Sequence, residues 1–224
     1  RILTPAQLAA EALTALGLLP PAPPPAAANR ALILSHELAA RGWLQGPPET
    51  APGLAQELVR AFDEIRRQRL ADLLLGPAPV EAALARMAVR EAEAESTAAE
   101  LRSLREAWRP YRDIVPHDEV DTLVKLAARL ETPTAGNTPA PVMWLAPAPA
   151  LAVAAGFTRL DPVTAAPMRA ILAAAAASTI VVPAGDDPLT GRLLATWDPR
   201  DERGGPLGPA RRAALLLGAD PAAW

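Results

Sequence analysis

The chain has 224 residues, no cysteine and a formal net charge of -3, with 22 basic and 25 acidic side chains. The missing cysteines exclude disulfides and thiolate metal sites, and the charge balance excludes the broad basic field typical of nonspecific nucleic-acid binding. Half of the residues are hydrophobic, which excludes a disordered chain. No apolar run is long enough to span a membrane, because prolines and charges interrupt each one. We expect a cytoplasmic protein and, because the sequence starts at Arg1 rather than Met, a segment or processed product of a larger protein.

Residues 1–135 are predicted to form a helical region. The first helix is expected over Thr4–Leu19, because Thr4 and Gln7 have the spacing of a capping box. Five prolines between residues 20 and 25 indicate an extended linker. A second helix is predicted over Ala26–Arg41, with Gly42 after its end.

The third predicted helix has the clearest amphipathic pattern in the chain. Its recurring apolar residues are Leu54, Leu58, Phe62, Ile65 and Leu73. The charged residues assigned to its outer faces are Glu57, Arg60, Asp63, Glu64, Arg66 and Arg67. We expect the apolar stripe to be buried and the helix to end at Gly76 and Pro77.

Three further helices complete the predicted helical region. One covers Val80–Val89, and a charged one covers Glu91–Arg112, which Pro110 should kink or end. Its apolar stripe consists of Leu101, Leu104, Trp108 and Tyr111. Asp118 is expected to cap the last of the three helices. The apolar residues of that helix are Val120, Leu123, Val124, Ala127 and Leu130.

Residues 136–224 are predicted to form a small α/β region. The apolar runs Leu151–Phe157 and Thr179–Val182 have the length and composition of buried strands, and Val142–Leu145 is a further apolar run. Asp161 begins a helix that ends near Ala177, so the order is strand, helix, strand, which favours parallel pairing. A short helix is expected around Pro209–Leu217, closed by Gly218. The predicted fold class is therefore α/β and predominantly helical.

Few residues are candidates for chemistry. His36 and His117 lack neighbours at metal-ligand spacing, so packing or loop roles are favoured for both. The acidic residues Glu91, Glu93, Glu95 and Glu100 fit a solvated helix face. Asp186 and Asp187 follow a predicted strand, where two carboxylates can hold Mg²⁺, although a turn nucleated by Asp-Asp-Pro explains them as well. No Gly-x-x-x-x-Gly-Lys-Ser/Thr loop exists, since the only lysine is Lys125.

The basic residues are arginines except for Lys125, which fits a GC-rich genome better than selection for phosphate contacts. Arg66, Arg67 and Arg69 form a basic run beside the amphipathic stripe, interpreted as a solvated face or as a phosphate track. Trp108 and Tyr111 have core spacing and are interpreted as core residues rather than as a base-stacking platform.

The strand–helix–strand segment resembles the part of superfamily 1 helicases where one strand ends in Asp-Glu and the next in Gly-Asp-x-x-Gln. The matching segments are LAVAAGFTRLDP, VTAAPMRAILAAAA and STIVVPAGDDPL. Gly156 and Phe157 stand where the Mg²⁺-binding and water-activating carboxylates would be, and Pro188 and Leu189 replace polar residues. We therefore expect no ATP hydrolysis by this segment.

This degenerate pattern resembles the AddB-type subunit of bacterial AddAB helicase–nucleases. LAQELVRAFDEIRRQRL, ELRSLREAWRPYRDIV and RRAALLLGAD resemble neighbouring helices of that subunit. The resemblance implies a RecA-like βαβ unit and a non-catalytic, helicase-like role in DNA double-strand-break repair and recombination. It also implies an AddA-like motor partner, DNA contact through the complex, no membrane association and no cofactor.

No catalytic residue is carried over from the family. The candidates for DNA contact are Arg66, Arg67, Arg69, Arg211 and Arg212. Two alternatives stay open: a helical protein–protein interaction module unrelated to DNA, and an enzyme that uses Asp186 and Asp187 with Mg²⁺.

Overall fold

The computed structural model describes residues 1–19, 25–42, 51–87, 89–131, 148–155, 160–181 and 214–219. In chain order, its elements are α1 (Pro5–Ala15), α2 (Ala27–Ala40), α3 (Ala51–Arg67), α4 (Ala71–Leu74), α5 (Val80–Arg86), α6 (Glu91–Ile114), α7 (Glu119–Glu131), β1 (Leu151–Ala155), α8 (Pro162–Ala174) and β2 (Ala177–Val181). The described part of the chain is thus predominantly helical with a small parallel sheet, as predicted. No helix within it is long and apolar enough to cross a membrane.

The chain divides into two compact units. A helical unit comprises Pro20–Val124, and an α/β unit combines Arg1–Leu19 with Lys125–Trp224. α1 belongs to the α/β unit because it packs against α8. Packing between distant segments, which local periodicity does not encode, determines the division.

The core of the helical unit lies between α2, α3 and α6. Its buried residues are Ala31, Leu34, Leu38, Ala55, Val59, Phe62, Leu75, Ala107, Tyr111 and Val115. The predicted stripe on α3 is only partly right: Phe62 is fully buried, but Leu54 is 42% exposed. The buried face runs through Ala55, Val59 and Phe62, so Leu58 and Ile65 lie at its flank.

The predicted end of the third helix is wrong. α3 ends at Arg67 and not at Gly76, because Arg69 adopts a left-handed conformation with a φ of 59° and the Leu70 amide donates back to the Ile65 carbonyl. The helix predicted over Glu91–Arg112, with a kink or an end at Pro110, is α6, which continues through Pro110 to Ile114. Proline removes one helical hydrogen bond, and Pro110 and Tyr111 are both buried in this turn.

The predicted caps and the predicted parallel pairing are confirmed. Thr4 and Gln7 form the capping box of α1. Asp161 caps α8 by accepting a hydrogen bond from the Thr164 amide. β1 pairs in parallel with β2, in a register that places Leu151 opposite Ala177.

One face of this small sheet packs against helices. Ala152 and Ala154 of β1 form a core with Met168 and Leu172 of α8 and with Leu8 of α1. Residues 214–216 are helical, and Gly218 follows them with a φ of 90°, as predicted for the last helix. The apolar run Val142–Leu145 lies outside the described residues.

Candidate functional site

The helical unit contains a network of charged and polar side chains within its core. Its members are Arg30, Asp63, Arg66, Tyr111, Arg112, Asp118 and Asp121. Helix geometry explains how they meet. Arg30 precedes Leu34 by one turn on the buried face of α2, and Arg66 follows Phe62 by one turn on the buried face of α3. Both arginines are therefore directed into the core rather than toward solvent.

Asp118 is the centre of this network and is fully buried. Its carboxylate forms a two-pronged ion pair with Arg66, with Nη1–Oδ1 and Nη2–Oδ2 distances of 2.8 and 2.6 Å. Its Oδ2 also accepts hydrogen bonds from Arg30 Nη1 and from the Tyr111 hydroxyl, both at 3.0 Å. The backbone amide of Asp121 donates to Oδ1 at 3.0 Å, so the same carboxylate caps α7.

Arg30 connects α2 to the rest of the network. Its guanidinium forms a second two-pronged ion pair, with both N–O distances to Asp63 equal to 2.8 Å. Nη1 also donates to the Tyr111 hydroxyl at 2.8 Å. The buried Nε of Arg30 has no hydrogen-bond acceptor among the described residues. Through these hydrogen bonds the Arg30 guanidinium links α2 to Asp63 of α3 and to Tyr111 of α6.

The less buried side of the network contains Asp121, Arg112 and Trp108. Asp121 accepts hydrogen bonds from Arg66 at 3.1 Å and from Arg112 at 2.7 Å. The guanidinium carbons of both arginines lie near the Trp108 ring, 5.5 and 5.4 Å from its centroid. Phe62 packs edge-on against Trp108 with a centroid separation of 4.9 Å. The aromatic residues therefore serve as core, as predicted for Trp108 and Tyr111.

The electrostatics of the network hold Asp118 ionised and Tyr111 neutral at neutral pH. Burial alone would raise the pKa of Asp118, but hydrogen bonds from Arg66 and from the Asp121 amide outweigh it and hold the pKa at about 2. Burial raises the pKa of Tyr111 to about 12, although its hydrogen bond with Arg30 acts in the opposite direction. The pKa of Arg30 is raised chiefly by its hydrogen bond with Asp63. The pKa of Arg66 is also raised, because burial, which lowers it, is outweighed by its aspartate partners.

These properties make the network a structural element rather than a reactive one. It contains three arginines and three aspartates, so its formal charges balance. Asp118 is enclosed by donors and Tyr111 stays protonated, so neither group can act as a general base at neutral pH. The arrangement can fix the relative positions of α2, α3, α6 and the start of α7.

The predicted basic run does not form one exposed track. Arg66 was assigned to an outer face, but its side chain is only 5% exposed and is committed to aspartates. Arg67 is half-buried, and Arg69 is exposed beyond the end of α3. Arg211 and Arg212 lie outside the described residues.

The other residues weighed for chemistry fall on the surface or outside the described chain. His36 and His117 are both exposed. The predicted acidic face on α6 is solvated, since Glu91, Glu93, Glu95 and Glu100 are all exposed. Asp186 and Asp187 lie outside the described residues, and no group of three or more His, Asp or Glu within the described ranges could hold a metal ion.

Sequence reasoning missed the network, although part of the signal was present. Arg30 shares helical spacing with Leu34, and Arg66 shares it with Phe62, which places a cation on each apolar face. The partner Asp118 was predicted only as a helix cap. What one sequence does not reveal is that residues up to 88 positions apart meet.

Comparison with known proteins gives no relative: the chain matches no protein-family model, no curated protein and no solved structure.

Proposed function

We propose that this chain is a non-catalytic, helicase-like segment of a subunit of a bacterial DNA double-strand-break repair helicase–nuclease. In this role it acts as a scaffold, binds an AddA-like motor subunit, and meets DNA only within the assembled complex. The βαβ unit is then of the RecA-like type and has lost its ATPase chemistry.

The observation that carries the proposal is the parallel pairing of β1 with β2 through α8. A parallel pair with one intervening helix is the topology required of the two strands that carry the nucleotide-hydrolysis motifs in helicases. In this sequence Gly156 and Phe157 follow the first strand where carboxylates would be needed. The topology therefore supports a helicase-like origin, and the residue types support loss of hydrolysis.

The buried network supports the scaffold part of the proposal. Arg66 neutralises Asp118 and Asp63, so it is not available for a phosphate. Arg66 is therefore not expected to contribute to a strand contact by the basic run. With a net charge of -3, the isolated chain lacks the field that drives nonspecific binding.

The test combines the full chain with the AddA-like motor subunit of the same organism. We expect the two proteins to elute together in size-exclusion chromatography and the mixture to bind single-stranded DNA more tightly than the motor subunit alone. The isolated chain should bind DNA weakly, with affinity falling further as salt rises. It should also turn over no ATP.

Three results would contradict this proposal in different ways. Absence of a complex with the motor subunit would remove the assigned partner. ATP turnover by the isolated chain that is lost on changing Asp186 would make it an enzyme. Arg60→Ala, at an exposed position, is the matched control and should leave the DNA affinity of the complex unchanged. If Arg67→Ala and Arg69→Ala also leave it unchanged, the chain is a scaffold that makes no strand contact at the basic run.

A helical protein–protein interaction module unrelated to DNA is the second candidate. It is favoured by the exposed aliphatic residues of α2, where Leu32 is 68% exposed and Ile33 is 38% exposed. An exposed aliphatic pair on one helix suits a protein partner better than a nucleic acid. Absence of a complex with the motor subunit, together with no DNA binding by the chain even at low salt, would favour this module.

A further inference from the structure

The buried apolar face of α2 consists of small and aliphatic side chains. Its residues are Ala31, Leu34 and Leu38, and the helix contains no Phe, Tyr or Trp. In the same core, Phe62 of α3 makes ring contacts with residues 108 and 111 of α6. Aliphatic side chains attract one another without a preferred direction. The three residues of α2 therefore define only weakly the register of the helix, meaning its position along the axis of α3.

A neighbouring register would keep the apolar face of α2 in the core. One helical turn is about 5.4 Å, or three to four residues. After such a shift in one direction, Ala31 takes the place of Leu34, and Leu34 takes the place of Leu38. The buried apolar residues of α3 have the same spacing: Ala55, Val59 and Phe62. Cores that keep their apolar pattern lose uniqueness before they lose stability, so apolar packing alone leaves more than one register open.

Arg30 is the member of the buried network that α2 supplies, and it distinguishes these registers. Its guanidinium forms a two-pronged pair with Asp63 of α3 and donates to Tyr111 of α6 and to Asp118 before α7, at distances of 2.8 to 3.0 Å. A two-pronged pair requires both nitrogens to face both oxygens, so a shift of about 5.4 Å breaks it. Arg30 is only 3% exposed and would then be a buried cation without these acceptors.

The cost of burial explains why the Arg30–Asp63 pair selects a register without adding much net stability. Taking the two charges largely out of water is unfavourable, and their attraction roughly offsets that loss. Replacing a buried ion pair with apolar residues of similar size is therefore often neutral for stability. The shifted register retains the loss and forfeits the attraction. The pair thus separates the two registers in free energy.

We propose that Arg30 sets the register of α2 on α3 and α6, while the aliphatic residues of α2 attach the helix to the core without fixing that register. The proposal rests on the contacts and burial of Arg30 and on the residue types of α2. It goes beyond the proposed DNA-repair function and does not depend on it.

The test measures the register of α2 in the full chain. Since the chain contains no cysteine, Ala28→Cys and Gln56→Cys place one nitroxide spin label at an exposed position of each helix. Double electron–electron resonance then gives the distribution of distances between the two labels. We expect one maximum when Arg30 is present, and a second maximum displaced by roughly 4–5 Å when Arg30→Met and Asp63→Leu remove the pair. The melting temperature of this double variant should stay within about 4 °C of that of the labelled parent.

The matched control removes an ion pair on the surface of α3. The side chains of Arg60 and Glu57 are 65% and 66% exposed. Arg60→Met with Glu57→Leu makes the same kind of change and should leave a single maximum at the parent distance. Arg30→Met alone is a second variant, which tests the register if the double variant does not fold. It leaves both aspartate partners of Arg30 paired with Arg66, and it should also show the second maximum.

The opposite outcomes would overturn the proposal. A single maximum at the parent distance in both Arg30 variants would show that apolar packing sets the register. A second maximum in the Arg60 control would show that loss of any ion pair on these helices disturbs it. A melting temperature of the double variant lowered by more than about 4 °C, or its failure to fold, would show that the pair stabilises the unit rather than selecting a register.

Discussion

Replacement of Asp118 by asparagine is expected to be the most destabilising near-isosteric change in the helical unit. The change removes one of three negative charges opposite three arginines, and leaves a net positive charge among groups that are mostly buried. An asparagine amide also places a donor where a carboxylate oxygen now accepts from Arg30, Arg66 and Tyr111. Breaking a buried ion pair in this way costs about 3–5 kcal/mol.

A loss of that size should be easy to measure. It corresponds to a fall of roughly 10–15 °C in the melting temperature of a chain of this length. Urea unfolding followed by far-UV circular dichroism gives the free energy of unfolding directly. Asp113→Asn is the matched control, because Asp113 is exposed on α6 and its replacement should change stability by less than about 0.5 kcal/mol.

A double-mutant cycle tests the reasoning behind this magnitude. If Asp118 and Arg66 stabilise each other, Asp118→Asn combined with Arg66→Met should cost less than the two single changes together, by at least about 1 kcal/mol. Additive single changes would show that the two residues do not interact. An Asp118→Asn variant as stable as Asp113→Asn would refute the buried network itself.

Three further predictions concern stability. Phe62→Ala should lower the free energy of unfolding in urea by about 3–5 kcal/mol, because the ring is fully buried. Leu54→Ala, at a position that is 42% exposed, should lower it by less than about 1 kcal/mol, and equal losses would contradict the observed burial. Folding lowers the pKa of Asp118 from 3.8 to about 2, so the stabilisation by its carboxylate is fully present above pH 4 and should fall by on the order of 2 kcal/mol as the pH approaches 2. In acid titrations the difference in unfolding free energy between wild type and Asp118→Asn should therefore narrow over that range. A constant difference would contradict the lowered pKa of Asp118. Arg105 donates to the carbonyls of residues 73, 74 and 78 at 3.0, 2.8 and 2.5 Å, so Arg105→Met should cost about 1–3 kcal/mol in the same unfolding assay, and an unchanged variant would show that these bonds are not needed.

Much of the fold could be predicted from local signals. The capping box of Thr4 and Gln7 and the cap at Asp161 each depend on residues three positions apart, so a single sequence is sufficient to find them. The parallel pairing follows from the order of strand, helix and strand. By contrast, the end of α3 depends on a left-handed Arg69, a residue type with no particular preference for that conformation.

The site was harder to predict because it is built from distant residues. Arg30 lies 33 positions from Asp63 and 88 from Asp118 along the chain, and no local pattern joins them. Charged residues are also mostly exposed, so periodicity assigned Arg66 to an outer face. Arg66 is buried because α2, α3 and α6 pack around a shared centre, and this packing is not visible in the local sequence.

The way α1 is packed has a consequence for synthesis on the ribosome. α1 is made before the helical unit, but Leu8 is buried against Met168 and Leu172 of α8, which follow roughly 150 residues later. At typical translation rates of about 5–20 residues per second, α1 waits roughly 10–30 s for its partner. The helical unit, whose residues are contiguous, can complete its core within that interval. α1 therefore cannot complete its packing until α8 has been made, after all residues of the helical unit.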